Sequence, residues 1–208
     1  MDMNAIYLRW IGISATRFGL SAGTSVMSLK FAFNSAKALE ALAYVANVKP
    51  GLSPLYVAKI FFYAEKWHLN RYGRPIIADT YIAMQRGPVP STIKNYIDRK
   101  WNWVGKPDGF DEAVQFDDTA NYAKLYPGKR APRLEFLSGS DIECLDEAIA
   151  FCSDKSFDEL SVLTHEERAW LAAEEDRPMQ YELFIDEDNE HKESVLQSAR
   201  DFASRGIL

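Results

Sequence analysis

The residues whose types could carry chemistry are spaced against it. Three histidines, His68, His165 and His191, stand far apart with no cysteine near any of them, so no zinc-ligand spacing can be written. His165-Glu166 opens like the zincin pair, but the fifth position is Ala169, where a second histidine one turn on would have to share the metal. The plain reading is a residue in the first turn of a capped helix. Asp186, Asp188 and Glu190 alternate like the start of a calcium loop; His191 then occupies the place of the turn glycine, and no acidic twelfth ligand follows, which leaves a solvated charge run. Neither a glycine-rich phosphate loop nor a Gly-x-Ser-x-Gly elbow occurs. Glu65 and Asp79 near His68 could be drawn as an acid–base group, yet carboxylates in one helical region are usually ion pairs or caps. The expectation is therefore no metal, no cofactor and no catalysis. Lys124, Lys129, Arg130 and Arg133, interleaved with Tyr122 and Tyr126, form the one run suited to nucleic acid, in a chain with 24 basic and 30 acidic residues and a net charge of -6. That balance argues against a polyanionic partner, and a hairpin's solvated face is the plainer reading of the run.

The elements that must position such residues are organised around Ser53 to Asp98. Ser53 is an N-cap candidate and Pro54 suits the first helical position, where its missing N–H has no helical partner. Val57, Ile60, Phe61, Ala64 and Trp67 fall at helical spacing, and Leu55, Ala58, Phe62 and Leu69 add a second strip, predicting a central helix buried on most sides. Gly73 and Pro75 end it. Only Lys59, Tyr63, Lys66 and Asn70 are left for water, and this polar stripe, with Arg86 and Val89 from the loop beyond, is the expected partner-binding surface; the plainer reading is ordinary solvation or cover by the C-terminal helix. Thr80 to Arg86 reads as a short helical turn and Gly87-Pro88-Val89-Pro90 as a rigid loop with Gly87 at positive φ.

Around that centre, Asn34 or Ser35 caps a helix to about Asn47, and Ser91 to Lys100 reads as another helix. From Phe110 to Leu137 the period changes to alternation, at Val114 and Phe116 and at Leu134 and Phe136, predicting a small antiparallel hairpin or sheet. Capping boxes at Ser140/Glu143, Ser156/Glu159 and Thr164/Glu167 mark three further helix starts, and a last helix places Val195, Ala199 and Phe202 inside. The fold class is mainly α: a compact helical domain around a central buried helix, with a small β insertion.

A Lys-Leu-x-Lys-Leu-like start at Lys37 to Leu42, the Phe-Phe-Tyr-Ala-Glu-x-x-His helix from Phe61 to His68 that includes Trp67, then Gly73, Ala83, the Gly87-Pro88-Val89-Pro90 run, and Leu-Thr-His-Glu-x-x-x-Trp from Leu163 through His165 to Trp170 stand in one order. That order resembles the Panacea domain, also called the SocA-like antitoxin or phage-associated GepA-like domain, over roughly Asn34 to Ala173. The resemblance implies an antitoxin that neutralises a co-encoded protein toxin by direct binding, without catalysis or cofactor; a second possibility it implies is an adaptor that delivers the toxin to a protease. The rival from another class is a nucleic-acid-binding regulator using the basic hairpin.

A chain of 208 residues, 47% of them hydrophobic, suits one domain with appendages: an extension at 1–30, the Panacea-like domain at 31–177, and an acidic linker with a C-terminal helix at 178–208. Met27, just before the first helical pattern, is the expected natural start, with the first 26 residues an upstream extension. Cys144 and Cys152 lie eight residues apart on one predicted helix, about 12 Å along its axis, and cannot bond to each other. Free thiols suit a reducing cytoplasm, and no apolar run is long enough to span a membrane.

Overall fold

The computed structural model describes residues 29–119 and 122–205; the expected extension and the start at Met27 lie outside the described residues, apart from residues 29 and 30. α1 (Ser35–Val48) begins where the Asn34 side chain accepts the Lys37 N–H at 3.0 Å, satisfying one of the donors that a helix N-terminus leaves open. α2 (Pro54–Tyr72) follows. Ser53 precedes it in extended backbone but makes no side-chain cap, so Pro54, with φ preset for the helix, marks the start. Gly73 closes α2 in the left-handed region at φ 62°, donating its N–H to the Leu69 carbonyl at 2.9 Å. A Cβ at Gly73 would also lie 2.6 Å from Ser198 Cβ of the C-terminal helix, so close approach demands glycine as much as the turn does.

β1 (Tyr81–Met84) and β2 (Gly87–Pro90) pair antiparallel, Tyr81 opposite Pro90 and Met84 opposite Gly87. This corrects two expectations: Thr80 to Arg86 is not a helical turn, and Gly87 to Pro90 is a strand. Pairing outweighs the helix preference of Ala83, Met84 and Gln85. β1 is bonded on its other side as well, with Ala83 N–H on the Arg177 carbonyl at 3.0 Å and Met179 N–H on the Tyr81 carbonyl at 2.8 Å. Pro88 and Pro90, which lack donors, are tolerated because they stand on the strand without a second neighbour.

α3 (Ser91–Ile97) is capped from a distance by Asp79, whose carboxylate accepts the Thr92 and Ile93 N–H groups at 2.9–3.0 Å. Two single-turn helices, α4 (Trp101–Val104) and α5 (Phe110–Ala113), lead to the expected hairpin of β3 (Val114–Asp117) and β4 (Lys124–Pro127). Leu134 and Phe136 do not extend it: they sit in a 3-10 turn with both side chains exposed.

α6 (Gly139–Ser153) starts from a capping box formed by Ser138 and Asp141, two residues before the expected one at Ser140 and Glu143. α7 (Phe157–His165) has the expected box at Ser156 and Glu159. Thr164 starts no helix; it is buried inside α7, with its hydroxyl donating to the Leu160 carbonyl at 2.8 Å, and α8 (Arg168–Leu171) follows Glu167 without a side-chain cap. A 3-10 turn (Tyr181–Phe184) and α9 (Lys192–Arg205) complete the described chain, α9 burying Val195, Leu196 and Ala199.

α2 is the axis of this arrangement. Val57 to Glu65 is buried without a break, α6 lies along it, and α9, α7 and the first hairpin close its other sides. Phe62, Tyr81 and Phe184 meet edge to face at ring distances of 5.4–6.0 Å in the core. The fold is mainly α with two small antiparallel hairpins, and both cysteines are buried and free on α6. None of the described helices is long and apolar enough to cross a membrane.

Candidate functional site

The predicted polar stripe is divided by the structure, and most of it does not face water. Lys59 is 1% exposed; its Nζ donates to the Arg86 carbonyl at 2.6 Å, and among the described residues no carboxylate pairs with it. Burial draws its pKa down to about 7. Tyr63 is 4% exposed, its ring against Trp67 and Phe151, and burial pushes its hydroxyl well above the usual range. Lys66 lies between Glu167 at 2.6 Å and Asp186 at 2.8 Å. Asn70 donates to the Phe184 carbonyl at 2.7 Å and accepts the Asp186 N–H at 2.9 Å. The stripe is thus covered by Arg86, Phe151 and residues 163–189; the acidic segment keeps Glu187, Asp188 and Glu190 exposed, as expected, and is also tied down through Asp186 to Lys66 and through Glu187 to Arg168 and Lys192. Arg86 is exposed and Val89 half-buried.

The motif residues converge on the hairpin turn. Gly87 has φ 92°, as expected, and a Cβ there would overlap Lys59 Nζ and Thr164 Oγ1 and lie 3.2 Å from Thr164 Cβ. Trp170 donates its Nε1–H to the Met84 carbonyl at 3.1 Å, and His165 stacks on Trp170 with ring centres 4.1 Å apart. Burial and the nearby Lys59 charge hold the His165 pKa below its ordinary value. Lys59, Thr164 and Trp170 therefore key the β1–β2 turn onto α2 and α7, with Pro88 and Pro90 buried beside them. His68 serves another joint: Nδ1 lies 2.8 Å from the Arg74 carbonyl and Nε2 3.1 Å from Ser140 Oγ, and burial draws its pKa to about 4, leaving the ring neutral.

The acid–base group suggested by the sequence does not assemble. Glu65 accepts the N–H groups of Ile76, Ile77 and Ala78, while Asp79 caps α3, so both carboxylates hold backbone. Among the described residues no group of His, Cys, Asp or Glu is placed to hold a metal ion. In the basic run, Arg130 and Arg133 both bind the buried carboxylate of Glu40, at 2.7 and 2.8 Å, which fastens the second hairpin to α1 and takes two of the four cations away from any phosphate.

The family model for the SocA-like antitoxin, Panacea domain, matches residues 57–171, more than half of the chain. The chain belongs to this family. No curated protein and no solved structure matches it. The match runs from the first buried residues of α2 to the end of α8, so the Panacea domain contains the keyed hairpin whole.

Two of the concavities among the described residues border α2. One is an apolar groove with room of about 250 Å³ between the start of α2 and the first hairpin, lined by Leu55, Ala58, Val89, Ile93 and Ile97, with Arg86 and Lys94 at its rim. Leu55 and Ala58 were expected in the apolar strips of the helix, and the structure buries Ala58 and Ile93 and leaves Leu55 half-buried; the groove forms where a helix start meets a distant hairpin, which nothing local in the sequence announces. The other is a wider cleft beside Tyr63, Lys66 and Trp67.

The lowered pKa of Lys59 predicts a pH dependence. An amine whose folded pKa lies near 7, against 10.5 in the unfolded chain, keeps its penalty at low pH and sheds it as pH rises above 7, because there the unfolded chain holds the extra proton. Stability is expected to rise by on the order of 1 kcal/mol between about pH 7 and 8, before the unfolded chain's thiols ionise appreciably, and Lys59→Met is expected to remove that rise. Urea unfolding of both proteins at several pH values measures it; parallel curves would refute the assignment.

Proposed function

We propose that this chain is an antitoxin that neutralises a co-encoded protein toxin by direct, stoichiometric binding in the cytoplasm, without catalysis and without a cofactor. The observation that carries this reading is the family match over residues 57–171. The apolar groove supports it physically. Interfaces draw most of their affinity from a few desolvated anchors, and a groove of this size accepts one large apolar side chain, with Arg86 and Lys94 placed for an acidic neighbour on the toxin.

The neighbouring reading frame, expressed alone and then together with this chain, tests the reading: growth arrest in the first case and rescue in the second. With purified proteins, neutralisation is expected to saturate near equimolar amounts. Protection at a small fraction of the toxin concentration would mean turnover and would overturn it; protection that needs a protease would replace blocking by delivery.

Leu55→Glu and Arg86→Glu are expected to keep the fold, since the first puts an acid in the opening turn of α2 and the second alters an exposed side chain, each within about 0.5–1 kcal/mol of the parent. Each is expected to weaken toxin binding by about 2 kcal/mol or more, roughly thirtyfold, by calorimetry. Unchanged binding by both variants would place the toxin elsewhere.

A further inference from the structure

The cleft beside the second half of α2 has a floor of three aromatic rings and a wall of carboxylates. Tyr63 and Trp67 of α2 and Phe151 of α6 have centroids 4.8–5.5 Å apart, in a cleft with room of about 490 Å³. Tyr63 is 4% exposed, and its hydroxyl has no hydrogen-bond partner among the described residues; burial first, then Glu167, Cys152 and Glu166, push its pKa up. A phenol oxygen that reaches a cleft with no partner among the described residues is open to a ligand's donor. The other polar groups are mostly engaged: Lys66 with Glu167 and Asp186, Arg168 with Glu187. Glu166 and Asp188 remain, both exposed and without an ion pair among the described residues, so the free charge on the wall is negative. The same aromatic cluster already holds one cation, Lys155 Nζ, 3.7 Å above the Phe151 ring.

We propose that this cleft receives an arginine side chain from the surface of a protein partner, the guanidinium lying over the Trp67 ring, donating to Glu166 and Asp188 and giving one N–H to the Tyr63 hydroxyl oxygen. A planar, weakly hydrated guanidinium with five donors suits a site that combines aromatic faces, a phenol oxygen and separated carboxylates better than a compact, strongly hydrated ammonium does. The inference rests on the reading that the chain works by binding a protein. It adds a polar contact separate from the apolar groove: Ala58 and Trp67 are nine residues, two and a half turns, apart on α2, about 14 Å along its axis, and point to opposite sides of it.

The test titrates the full chain with the peptide Gly-Ser-Arg-Ser-Gly and follows the tryptophan indole N–H signals by NMR. A saturable shift is expected for Trp67 and none for Trp103, which is 81% exposed and reports non-specific contact. A norleucine peptide is expected not to bind, a lysine peptide to bind about threefold or more weakly, and the Glu166→Gln/Asp188→Asn chain to bind the arginine peptide about fivefold or more weakly with an unchanged melting temperature. Equal binding of norleucine or lysine peptides, an unaffected double variant, or equal shifts at Trp103 would overturn the proposal. Peptide binding by a chain that protects against no toxin would remove the antitoxin reading and leave the cleft; neutralisation without peptide binding would remove the cleft and leave the antitoxin reading.

Discussion

Gly87→Val is expected to destabilise the domain by about 3 kcal/mol or more and to lower its melting temperature by roughly 6–12 °C. Two effects add. A β-branched residue at φ 92° is strained in a region that L side chains rarely adopt, and its Cβ would overlap Lys59 Nζ and Thr164 Oγ1. Neither neighbour can move freely, because Lys59 is the donor to the Arg86 carbonyl within the same turn and Thr164 is bonded back to Leu160. Gly87→Ala separates the effects: it keeps the overlap with less backbone strain, and in a Thr164→Ala background its penalty is expected to shrink. That coupling, read from a double-mutant cycle by thermal or urea unfolding, belongs to the contact alone. A Gly87→Val protein that melts with the parent would mean that the hairpin turn is not keyed to α2 as described.

The second large effect is expected at Glu65. Its carboxylate, fully buried on α2, accepts the N–H groups of Ile76, Ile77 and Ala78 at 2.9, 3.2 and 2.8 Å, and the Tyr181 hydroxyl lies 2.9 Å away. Ala78 is held there at φ 60°, a conformation that alanine adopts only when its surroundings fix it. Glu65→Leu would leave three buried backbone donors without an acceptor, at about 1–3 kcal/mol each, which together approach the whole stability of a typical domain. The variant is expected to be largely unfolded at 37 °C by circular dichroism. Tyr181→Phe removes one of the four partners and is expected to lose only about 1 kcal/mol. A folded Glu65→Leu protein melting within a few degrees of the parent would show that these donors have another acceptor.

Legibility in the sequence followed the range of the interactions. The limits of α2, the Asn34 cap, the Ser156 box, the second hairpin and the positive φ of Gly87 were all readable, because each is decided among residues a few positions apart: a proline at a helix start, a glycine past its end, an oxygen three residues before an N–H. The first hairpin was not, because four-residue strands carry little local signal and β1 is held by Arg177 and Met179, about a hundred positions on. The candidate site was legible in the same measure. Arg86 is exposed, Val89 is half-buried, and the motif residues Gly87, His165 and Trp170 meet at one turn, but the stripe of Lys59, Tyr63, Lys66 and Asn70 was expected to face solvent or a partner when three of its members are partnered inside the protein and the fourth floors a cleft.

A helix that is apolar on most sides shows by its pattern that it is central, and the sequence determined that much about α2 together with where it begins and ends. Which polar residues on its remaining side meet solvent is a different question, since a lysine at helical spacing has the same sequence signature whether a loop covers it or not. The answer came from residues 86, 164–167 and 181–189, which fold back over α2 because burial of Tyr181, Phe184 and Ile185 brings them there. Apolar burial is non-directional and acts between segments of any separation, so only the tertiary structure could decide that Lys59 becomes a buried key, Lys66 an ion-pair centre, and Tyr63 the floor of an open cleft.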